Sequence, residues 1–560
     1  MRISLSLLFS AVSLIVLCVG CARPTEHAWH GPPWKVPDAS SSLDFYPPDL
    51  STVPSDLTPL ADLAQGSVVP SDLSMFVADL ALPPADLAVI APAPSVTAIF
   101  PAQGPLGSMI TVAGSGFAPG DTVEISGAQP SPATLPSISI ASTAIVVALQ
   151  GITAAVPTSA TLRVRRGIAT YPSGGLPFLI TQGKAYYIST QGSDANSGSI
   201  LQPWRTVGGA STHMAPGDFA YLRGGTYSGQ IAITASGSAG LPLTFTGYPG
   251  ESPLLIEPPT SPGADLDTIR VYGSYITLDH LRISDQNDPG QAIWIAGSSH
   301  DVMVSHSEIF GAHGQGILIT GDKNTIYRNS IHDNGTHTPY DHGIYIEGGG
   351  NLVRSNTIYN NWTFGIQLYD GSNVSHAGNT IEYNYVYHNG FGSTAQDPNA
   401  PNAGIVIASA HSNSIIRYNT FCDNSQYGIY LIDDQDGTQM TGNITCYNRR
   451  GGHYMRYPGS GNSLTGAISF NDTGFALSSN AGVSSNSNTF YLTQGSLTWE
   501  WGGTSYQSLA SFVSASGQDG SSKVADPKFT NVPTGGFDPK LAATYNFCTS
   551  LIPAFCQPLP

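Results

Sequence analysis

The chain has 560 residues, which is enough for more than one domain. Only 11% of the residues are charged, and 62 Gly with 41 Pro favour a loop-rich protein built from β-strands. The formal net charge of −17 at pH 7 argues against nucleic acid as a partner, because a polyphosphate would be repelled.

The amino terminus has the pattern of an export signal. Arg2 precedes an apolar run over residues 5–19, which is too short and wrongly flanked to be a stable membrane span. Cys21 follows and resembles the lipidated Cys of bacterial lipoproteins, although Cys18 stands where Leu is usual. We therefore expect a signal over residues 1–21 and a lipid on Cys21 that anchors the protein to the outer membrane or cell surface. Ordinary secretion is the alternative.

The next segment, residues 22–93, has the composition of a disordered linker. It is rich in Pro, Ala, Ser and Asp, and no Lys or Arg occurs between Lys35 and Arg163. Each of six Asp residues is followed by Leu: Asp49, Asp56, Asp62, Asp72, Asp79 and Asp86. Such a chain cannot bury enough apolar surface to fold, so we interpret it as an extended acidic tether.

Residues 94–181 change character and predict a small β-sandwich. Short alternating runs such as residues 109–112 are separated by turn signals such as Gly104-Pro105 and residues 114–117. The segment is similar to the immunoglobulin-like IPT/TIG domain. That resemblance implies a spacer or adhesion module, and we assign no catalytic residues to it.

From about residue 290 to residue 480 the chain repeats itself. The phrase Gly-Ile-x-Ile, or its variant ending in Leu, begins at Gly316, Gly343, Gly365, Gly404 and Gly428. A second phrase, Asn-x-apolar-x-x-Asn, begins at Asn329, Asn356, Asn384 and Asn419. Most Gly-Ile phrases start 22 to 27 residues apart, with one gap of 39. A period of this size predicts a solenoid, because units this short can bury their apolar face only by stacking.

Each repeat predicts a coil of two or three short strands that pair in parallel with the next coil. Strand side chains alternate, so Ile344 and Ile346 should point inward and Tyr345 outward. The recurrent Asn residues suit the bends between strands, and they could hydrogen-bond to one another along the stack.

Several further phrases strengthen this prediction. They are residues 185–189, 192–194, 203–206, 223–227 and 247–250. With the repeats, they make roughly residues 184–545 resemble the right-handed parallel β-helix proteins of the pectate-lyase-like superfamily. The resemblance implies an all-β chain with a right-handed parallel β-helix over residues 182–500 and a cap and tail over residues 501–560. It leaves the reaction open, because this fold hosts several activities.

A β-helix offers a long flat face that matches the shape of a polysaccharide. Aligning the Gly-Ile phrases predicts one outward row of side chains: Trp294, Leu318, Tyr345, Gln367, Val406 and Tyr430. Aromatic and amide side chains on one exposed face are typical of sugar-binding surfaces. The substrate-binding candidates are Trp294, Tyr327, Arg354, Gln367, Tyr369, Arg417 and Tyr430.

Histidines crowd into the same region. Asp341-His342 leads directly into the strand of Tyr345, and His313 lies one coil earlier. An Asp can orient a neighbouring imidazole as a general base near neutral pH. The catalytic candidates are therefore His313, Asp341, His342 and Tyr345, which could remove the proton alpha to a uronate carboxylate and protonate the leaving oxygen. The alternative is that these side chains only bond their own turns.

Charged residues add two hypotheses. Arg354 and Arg417 occupy matching places on another strand, with Tyr327 in the same row, and could neutralise a sugar carboxylate. The alternative is that they are solvated surface Arg residues without such a role. Asp433, Asp434 and Asp436 could bind Ca²⁺, and Asp433 with Asp434 could instead serve as the carboxyl pair of a glycoside hydrolase. The alternative is an ordinary acidic turn. Many β-helix lyases use a Lys or Arg base beside Asp-bound calcium. This chain departs from that pattern, because Lys323, the only Lys between Lys184 and Lys523, lies in a turn and is a poor candidate for a buried base.

Cysteine spacing predicts two disulfides, Cys422–Cys446 between consecutive coils and Cys548–Cys556 near the carboxyl terminus, if export leads to oxidation. Together these patterns predict an exported monomer that binds and cleaves an acidic polysaccharide by β-elimination, or epimerises it. A non-catalytic glycan-binding or adhesion protein and a glycoside hydrolase are the alternatives.

Overall fold

A computed structural model describes residues 92–259, 267–287, 289–336, 341–370, 376–392, 402–408, 411–432, 436–480 and 482–557. The predicted signal, Cys21, nearly all of the predicted linker and the pair Asp433-Asp434 lie outside the described residues. No helix among the described residues is long and apolar enough to cross a membrane.

The amino-terminal part of the described chain is a sandwich of two β-sheets. One sheet orders its strands as Ser95–Phe100, Met109–Ser115, Ala144–Ala148 and Ser137–Ala141. The other orders them as Gln103–Gly104, Ala169–Ile180, Thr158–Arg166, Thr122–Ser126 and Ala133–Leu135. Alternate residues such as Val123 and Ile125 face inward and form a core of their own.

The rest of the chain winds into a parallel β-helix with three long sheets, each containing 12 strands among the described residues. Sheet I contains Ala185–Ile188, Phe219–Leu222, Leu243–Gly247, Ile276–Asp279, Val302–Ser305, Thr325–Tyr327, Leu352–Arg354, Thr380–Glu382, Ile415–Arg417, Gln439–Thr441, Asn462–Thr465 and Val483–Asn486. Sheet II contains Gly225–Ser228, Pro253–Glu257, Arg282–Asp285, Glu308–Phe310, Ser330–His332, Thr357–Tyr359, Tyr385–Tyr387, Thr420–Cys422, Ile444–Cys446, Ile468–Phe470, Thr489–Tyr491 and Lys523–Val524.

Sheet III carries the Gly-Ile phrases. It contains Ile231–Ile233, Ile269–Val271, Ile293–Ile295, Ile317–Ile319, Ile344–Ile346, Ile366–Leu368, Ala403–Ile407, Tyr427–Ile432, Gly451–Arg456, Phe475–Ser479, Trp499–Trp501 and Thr504–Tyr506. A short parallel pair, His376–Ala377 with His411–Ser412, lies beside these coils. Ile344 and Ile346 are fully buried, and one continuous apolar core runs inside the three sheets, as the alternation predicts.

Columns of buried Asn side chains hold the coils in register at the bends. Within one column, the Nδ2 of Asn334 donates to Oδ1 of Asn361 at 2.9 Å, and Asn361 donates in turn to Asn389 at 2.9 Å. Nδ2 of Asn389 donates to Oδ1 of Asn424 at 3.1 Å. Each side-chain amide hydrogen-bonds both to buried backbone groups and to the next Asn of the column. The predicted stacking of Asn is therefore confirmed.

Both ends of the β-helix are covered. Helix Val207–Ser211, whose amino end is capped by the Thr206 side chain, places Val207 and Ala210 in the core. At the other end, helix Leu509–Ser516 buries Phe512. The carboxyl-terminal tail packs on sheet II and includes two short 3₁₀ helices, Pro539–Thr544 and Pro553–Cys556.

Both predicted disulfides are present. Cys422 joins Cys446 across two paired strands of sheet II, with their Cα atoms 4.5 Å apart. Cys548 joins Cys556 in the tail.

Candidate active site

The outward row predicted on sheet III exists. The strands pair so that Trp294 lies beside Leu318, then Tyr345, Gln367, Val406, Tyr430 and Tyr454. The residues two positions later form a second row, because side chains at i and i+2 share a face. That second row runs from Thr320 through Glu347, Tyr369, Ala408 and Ile432 to Arg456.

The outward row is less exposed than the sequence suggested. Tyr345 is 7% exposed and Tyr430 only 2% exposed. Both would have to be accessible to serve as open aromatic platforms. Phe364 and Tyr427, which directly precede the Gly-Ile phrases, pack over the row and form an external apolar cluster with Tyr430. The half-buried residues of this face are therefore the ones that a substrate could touch.

His342 does not have the environment of a general base. Its side chain is 1% exposed and bonds through Nδ1 to the Thr363 hydroxyl. Burial lowers the pKa of His342 to about 3, and a hydrogen bond to Gln367 opposes this shift only partly. The expectation that Asp341 orients an accessible imidazole near neutral pH is therefore wrong, because the loop turns His342 inward against Phe364.

Two other members of the predicted catalytic group, Asp341 and His313, both contact Thr336. Asp341 is buried, and its Oδ2 accepts from the Thr336 amide at 3.2 Å. His313 is half-buried, and its carbonyl accepts from the Thr336 hydroxyl. No hydrogen bond joins His313 to His342 or Tyr345 among the described residues.

The predicted basic site lies on a different sheet. Tyr327, Arg354 and Arg417 share a row, as expected, but that row belongs to sheet I. Glu382 sits between the two guanidinium groups, 3.3 Å from Nε of Arg354 and 2.6 Å from Nε of Arg417. These Arg residues neutralise a buried protein carboxylate, so they are not placed to neutralise a sugar carboxylate on sheet III.

The remaining substrate-binding candidates lie on sheet III. Trp294 is half-buried, with its Nε1 3.2 Å from the Thr320 hydroxyl and the Arg270 guanidinium 5.2 Å from its ring. Gln367 and Tyr369 are half-buried in adjacent positions of the two outward rows. The predicted calcium ligand Asp436 accepts from the Ser460 hydroxyl at 3.0 Å, which stabilises a turn.

A cluster that the sequence analysis missed lies at the middle of this face. Glu347 follows the strand of Tyr345, is partly exposed, and is hydrogen-bonded to Tyr345. Burial raises the pKa of Glu347, and the nearby Asp370 carboxylate raises it further. This carboxyl group therefore holds its proton to a higher pH than an ordinary Glu.

Asp370 is the second carboxyl group of the cluster. It follows the next strand of sheet III, is mostly buried, and lies 3.0 Å through Oδ2 from Nε2 of His376. The other nitrogen of His376 lies 3.9 Å from Asp322, and the ring of His411 stacks beside it at 5.8 Å. Tyr345, Glu347, Asp370 and His376, which we call the Glu347 cluster, thus combine a proton-holding carboxyl group with a carboxyl group oriented by an imidazole.

Further along the same face, an aromatic and cationic pair remains accessible. Tyr454 is half-buried and stacks on Tyr430 with ring centroids 5.1 Å apart. Arg456 is exposed at the end of the second row and bonds the Tyr430 hydroxyl. No carboxylate among the described residues pairs with Arg456, so its charge is available to an acidic ligand.

This geometry, an elongated outward face with acid–base groups, accompanies matches to known families. Residues 186–462 match the family model described as Pel9A-like, right handed beta helix region. Residues 94–179 match the model of the IPT/TIG domain. The predicted fold class, a right-handed parallel β-helix preceded by an immunoglobulin-like sandwich, is confirmed.

Individual proteins are also similar to this chain. It is 26% identical over 438 residues to Uncharacterized protein YwoF of Bacillus subtilis (strain 168), covering 62% of this chain and 89% of that protein. It is 41% identical over 85 residues to Pectate lyase PEL9 of Emericella nidulans, covering 14% of this chain and 20% of that enzyme. The crystal structure of pectate lyase Pel9A superposes with a TM-score of 0.41 and 17% identity, covering 56% of this chain and 78% of that one.

Proposed function

We propose that the protein binds an acidic polysaccharide along the outward face of sheet III and cleaves it by acid–base chemistry at the Glu347 cluster. The observation that carries this proposal is that the partly exposed Glu347, whose pKa burial raises, and Asp370 follow two strands that pair in sheet III, on neighbouring coils. A carboxylic acid that keeps its proton can protonate a leaving oxygen, and a second carboxylate can activate water.

The face extends well beyond one sugar. Glu347 and Arg456 are separated by four steps of the second outward row, which corresponds to about 19 Å at the usual strand spacing. Arg456 is therefore placed to hold a negative group of the same chain while a glycosidic bond lies at Glu347. A bidentate guanidinium contact suits a uronate carboxylate.

Hydrolysis is the reaction that the carboxyl pair supports best. Glu347 would donate its proton to the leaving glycosidic oxygen, and Asp370, held by His376, would take a proton from the attacking water. The bond between sugar carbon and leaving oxygen breaks, and the bond to water forms.

A specific observation favours β-elimination as a second candidate. The family model matched by residues 186–462 carries the name of Pel9A, and the relative PEL9 is named as a pectate lyase. In an elimination, the same carboxyl pair would remove the proton alpha to the uronate carboxylate and protonate the leaving oxygen. The product would then carry a carbon–carbon double bond.

The products distinguish these reactions. The full-length protein is incubated with alginate, pectate and a neutral glucan, and reducing ends are measured together with the ultraviolet absorbance of unsaturated uronate. Reducing ends without absorbance indicate hydrolysis, and the two signals together indicate elimination. Binding to the acidic polymers without either signal would overturn the cleavage proposal in favour of a non-catalytic glycan-binding protein.

Two matched substitutions test whether binding of the acidic polymer depends on the positive charge of Arg456. Arg456→Gln should weaken binding of the acidic polymer and leave binding of a neutral glucan unchanged. Arg417→Gln on sheet I should change neither, because Arg417 is paired with Glu382. Equal effects of the two substitutions would contradict the assignment of Arg456.

We further propose that the chain acts outside the cell, attached through a lipid on Cys21. The apolar run over residues 5–19 and the Cys that follows it support this location. A surface enzyme would meet polymeric substrate that cannot enter a cell.

A further inference from the structure

The junction between the sandwich and the β-helix contains a pocket that the proposed function does not use. Its volume is about 330 Å³, and it lies between Phe100 and Met109 of the sandwich and Tyr221 of sheet I. A buried hydrogen bond joins the two parts next to this pocket: the Tyr221 hydroxyl accepts from the Met109 amide at 2.8 Å. Most of the lining is apolar, and Asp279, His280 and His306 supply a compact polar group on one wall.

Two imidazoles converge on one carboxylate in this wall. Nδ1 of His280 lies 2.7 Å from Oδ2 of Asp279, and Nδ1 of His306 lies 3.0 Å from Oδ1. One potential ligand atom from each of the three residues lies within 4.8 Å of the others. Among the described residues, no other three His, Cys, Asp or Glu side chains bring potential ligand atoms this close together.

The coil geometry explains the convergence. His280 and His306 each directly follow a strand of sheet I, at a corner with left-handed backbone and φ of 49° and 46°. These corners stack in consecutive coils, so the two rings lie parallel with centroids 5.0 Å apart. Phe100 of the sandwich packs against both rings, at 4.7 and 4.6 Å.

Neighbouring hydroxyl groups orient the carboxylate. The Ser305 hydroxyl donates to Oδ1 of Asp279 at 2.7 Å, and the Thr246 hydroxyl donates to Oδ2 at 3.0 Å. Outer hydrogen bonds of this kind position metal ligands and are a regular part of metal sites. The Asp279 side chain is 4% exposed, whereas that of His280 is 47% exposed, so the group is fixed on one side and open on the other.

We propose that Asp279, His280 and His306 bind a divalent transition metal ion at the junction. Two imidazole nitrogens and one carboxylate oxygen are a ligand set suited to Zn²⁺ or a similar ion, and less suited to Ca²⁺ or Mg²⁺, which prefer oxygen ligands. The ion would bind Nδ1 of each ring, with the single proton of each neutral imidazole on Nε2, and water in the pocket would complete its coordination. Because Phe100 packs on both imidazoles, the bound ion would also stabilise the attachment of the sandwich to the β-helix.

Metal binding to the full-length, tag-free protein tests this proposal. Equilibrium dialysis against Zn²⁺ is combined with the visible spectrum of the Co²⁺-substituted protein, since Co²⁺ reports nitrogen ligation directly. The wild-type protein should bind one more equivalent than the His280→Ala/His306→Ala variant and should show a Co²⁺ spectrum that the variant lacks. His300→Ala is the matched control, because His300 also bonds an adjacent Asp, Asp301, at 2.7 Å, but has no second imidazole.

A milder variant keeps the test valid if the double substitution disturbs folding. Ser305→Ala retains all three ligands and removes one outer hydrogen bond, so it should weaken metal affinity by roughly 10- to 100-fold. The proposal is overturned if the wild-type protein and the double variant bind equal amounts of metal. It is also overturned if His300→Ala lowers binding as much as His280→Ala does.

Discussion

The Asn columns should carry a large share of the stability of the β-helix, and Asn389→Ala tests this most sharply. Oδ1 of Asn389 accepts from the amide and the side chain of Asn361, at 3.1 and 2.9 Å. The two hydrogens of its Nδ2 are shared among the Ile358 carbonyl at 3.2 Å, the Tyr387 carbonyl at 3.0 Å and Oδ1 of Asn424 at 3.1 Å. Two accepted bonds and two donated hydrogens are thus lost from a buried site, and at about 1 kcal/mol each their loss should lower the free energy of unfolding by roughly 4 kcal/mol.

The assay is chemical denaturation of the full-length protein, followed by near-ultraviolet circular dichroism. Asn531→Ala is the matched control, because Asn531 is exposed and its side chain makes one hydrogen bond, to the Thr544 carbonyl at 2.9 Å. It should cost less than about 1 kcal/mol. If both variants shift the denaturation midpoint equally, the column does not hold the coils together.

Three further predictions concern pH, cross-linking and anchoring. Burial raises the pKa of Asp285 from 3.8 to about 7, so the folded protein holds this proton more tightly than the unfolded chain does. Stability should therefore fall as pH rises from about 4 to about 7, and Asp285→Asn should flatten this fall in denaturation midpoints measured across that range. The Cys422→Ser/Cys446→Ser variant should lose roughly 3 kcal/mol of unfolding free energy, because the disulfide closes a loop with a sequence separation of 24. An unchanged denaturation midpoint would contradict this prediction. Cys21→Ser should abolish incorporation of labelled fatty acid in bacteria, whereas Cys18→Ser should not.

The fold was predictable because its signals repeat. Each Gly-Ile phrase begins a strand of sheet III, and the period fixes which residues pair, so Tyr345 could be placed beside Leu318 and Gln367 from the sequence. The Asn residues could be placed at the bends for the same reason. An error in the register of one strand would have misaligned the repeated phrases of the neighbouring coils.

The site was harder to predict because it depends on loops that do not repeat. Asp341 and His342 are adjacent in sequence, but the backbone turns the imidazole inward toward Phe364, and no periodic signal reports that turn. Phe364 covers the outward row in a way that strand alternation does not predict.

Part of the Glu347 cluster did have a sequence signal. Glu347 lies two residues after Tyr345, so alternation places it on the same face. The corresponding position of the next coil is Tyr369, so alternation did not predict Asp370, which follows one residue later. The contact of Asp370 with His376, by contrast, depends on the conformation of the chain after the strand.

The rate of polysaccharide cleavage by Glu347→Gln tests the central claim most directly. This substitution keeps the size of the side chain and removes only its ability to transfer a proton. Cleavage should slow by at least about 10²-fold with binding of the polymer unchanged, because proton transfer by a positioned carboxyl group contributes that much or more. Glu308→Gln on sheet II should cleave at the wild-type rate, and a Glu347→Gln protein that does the same would show that the chemistry takes place elsewhere.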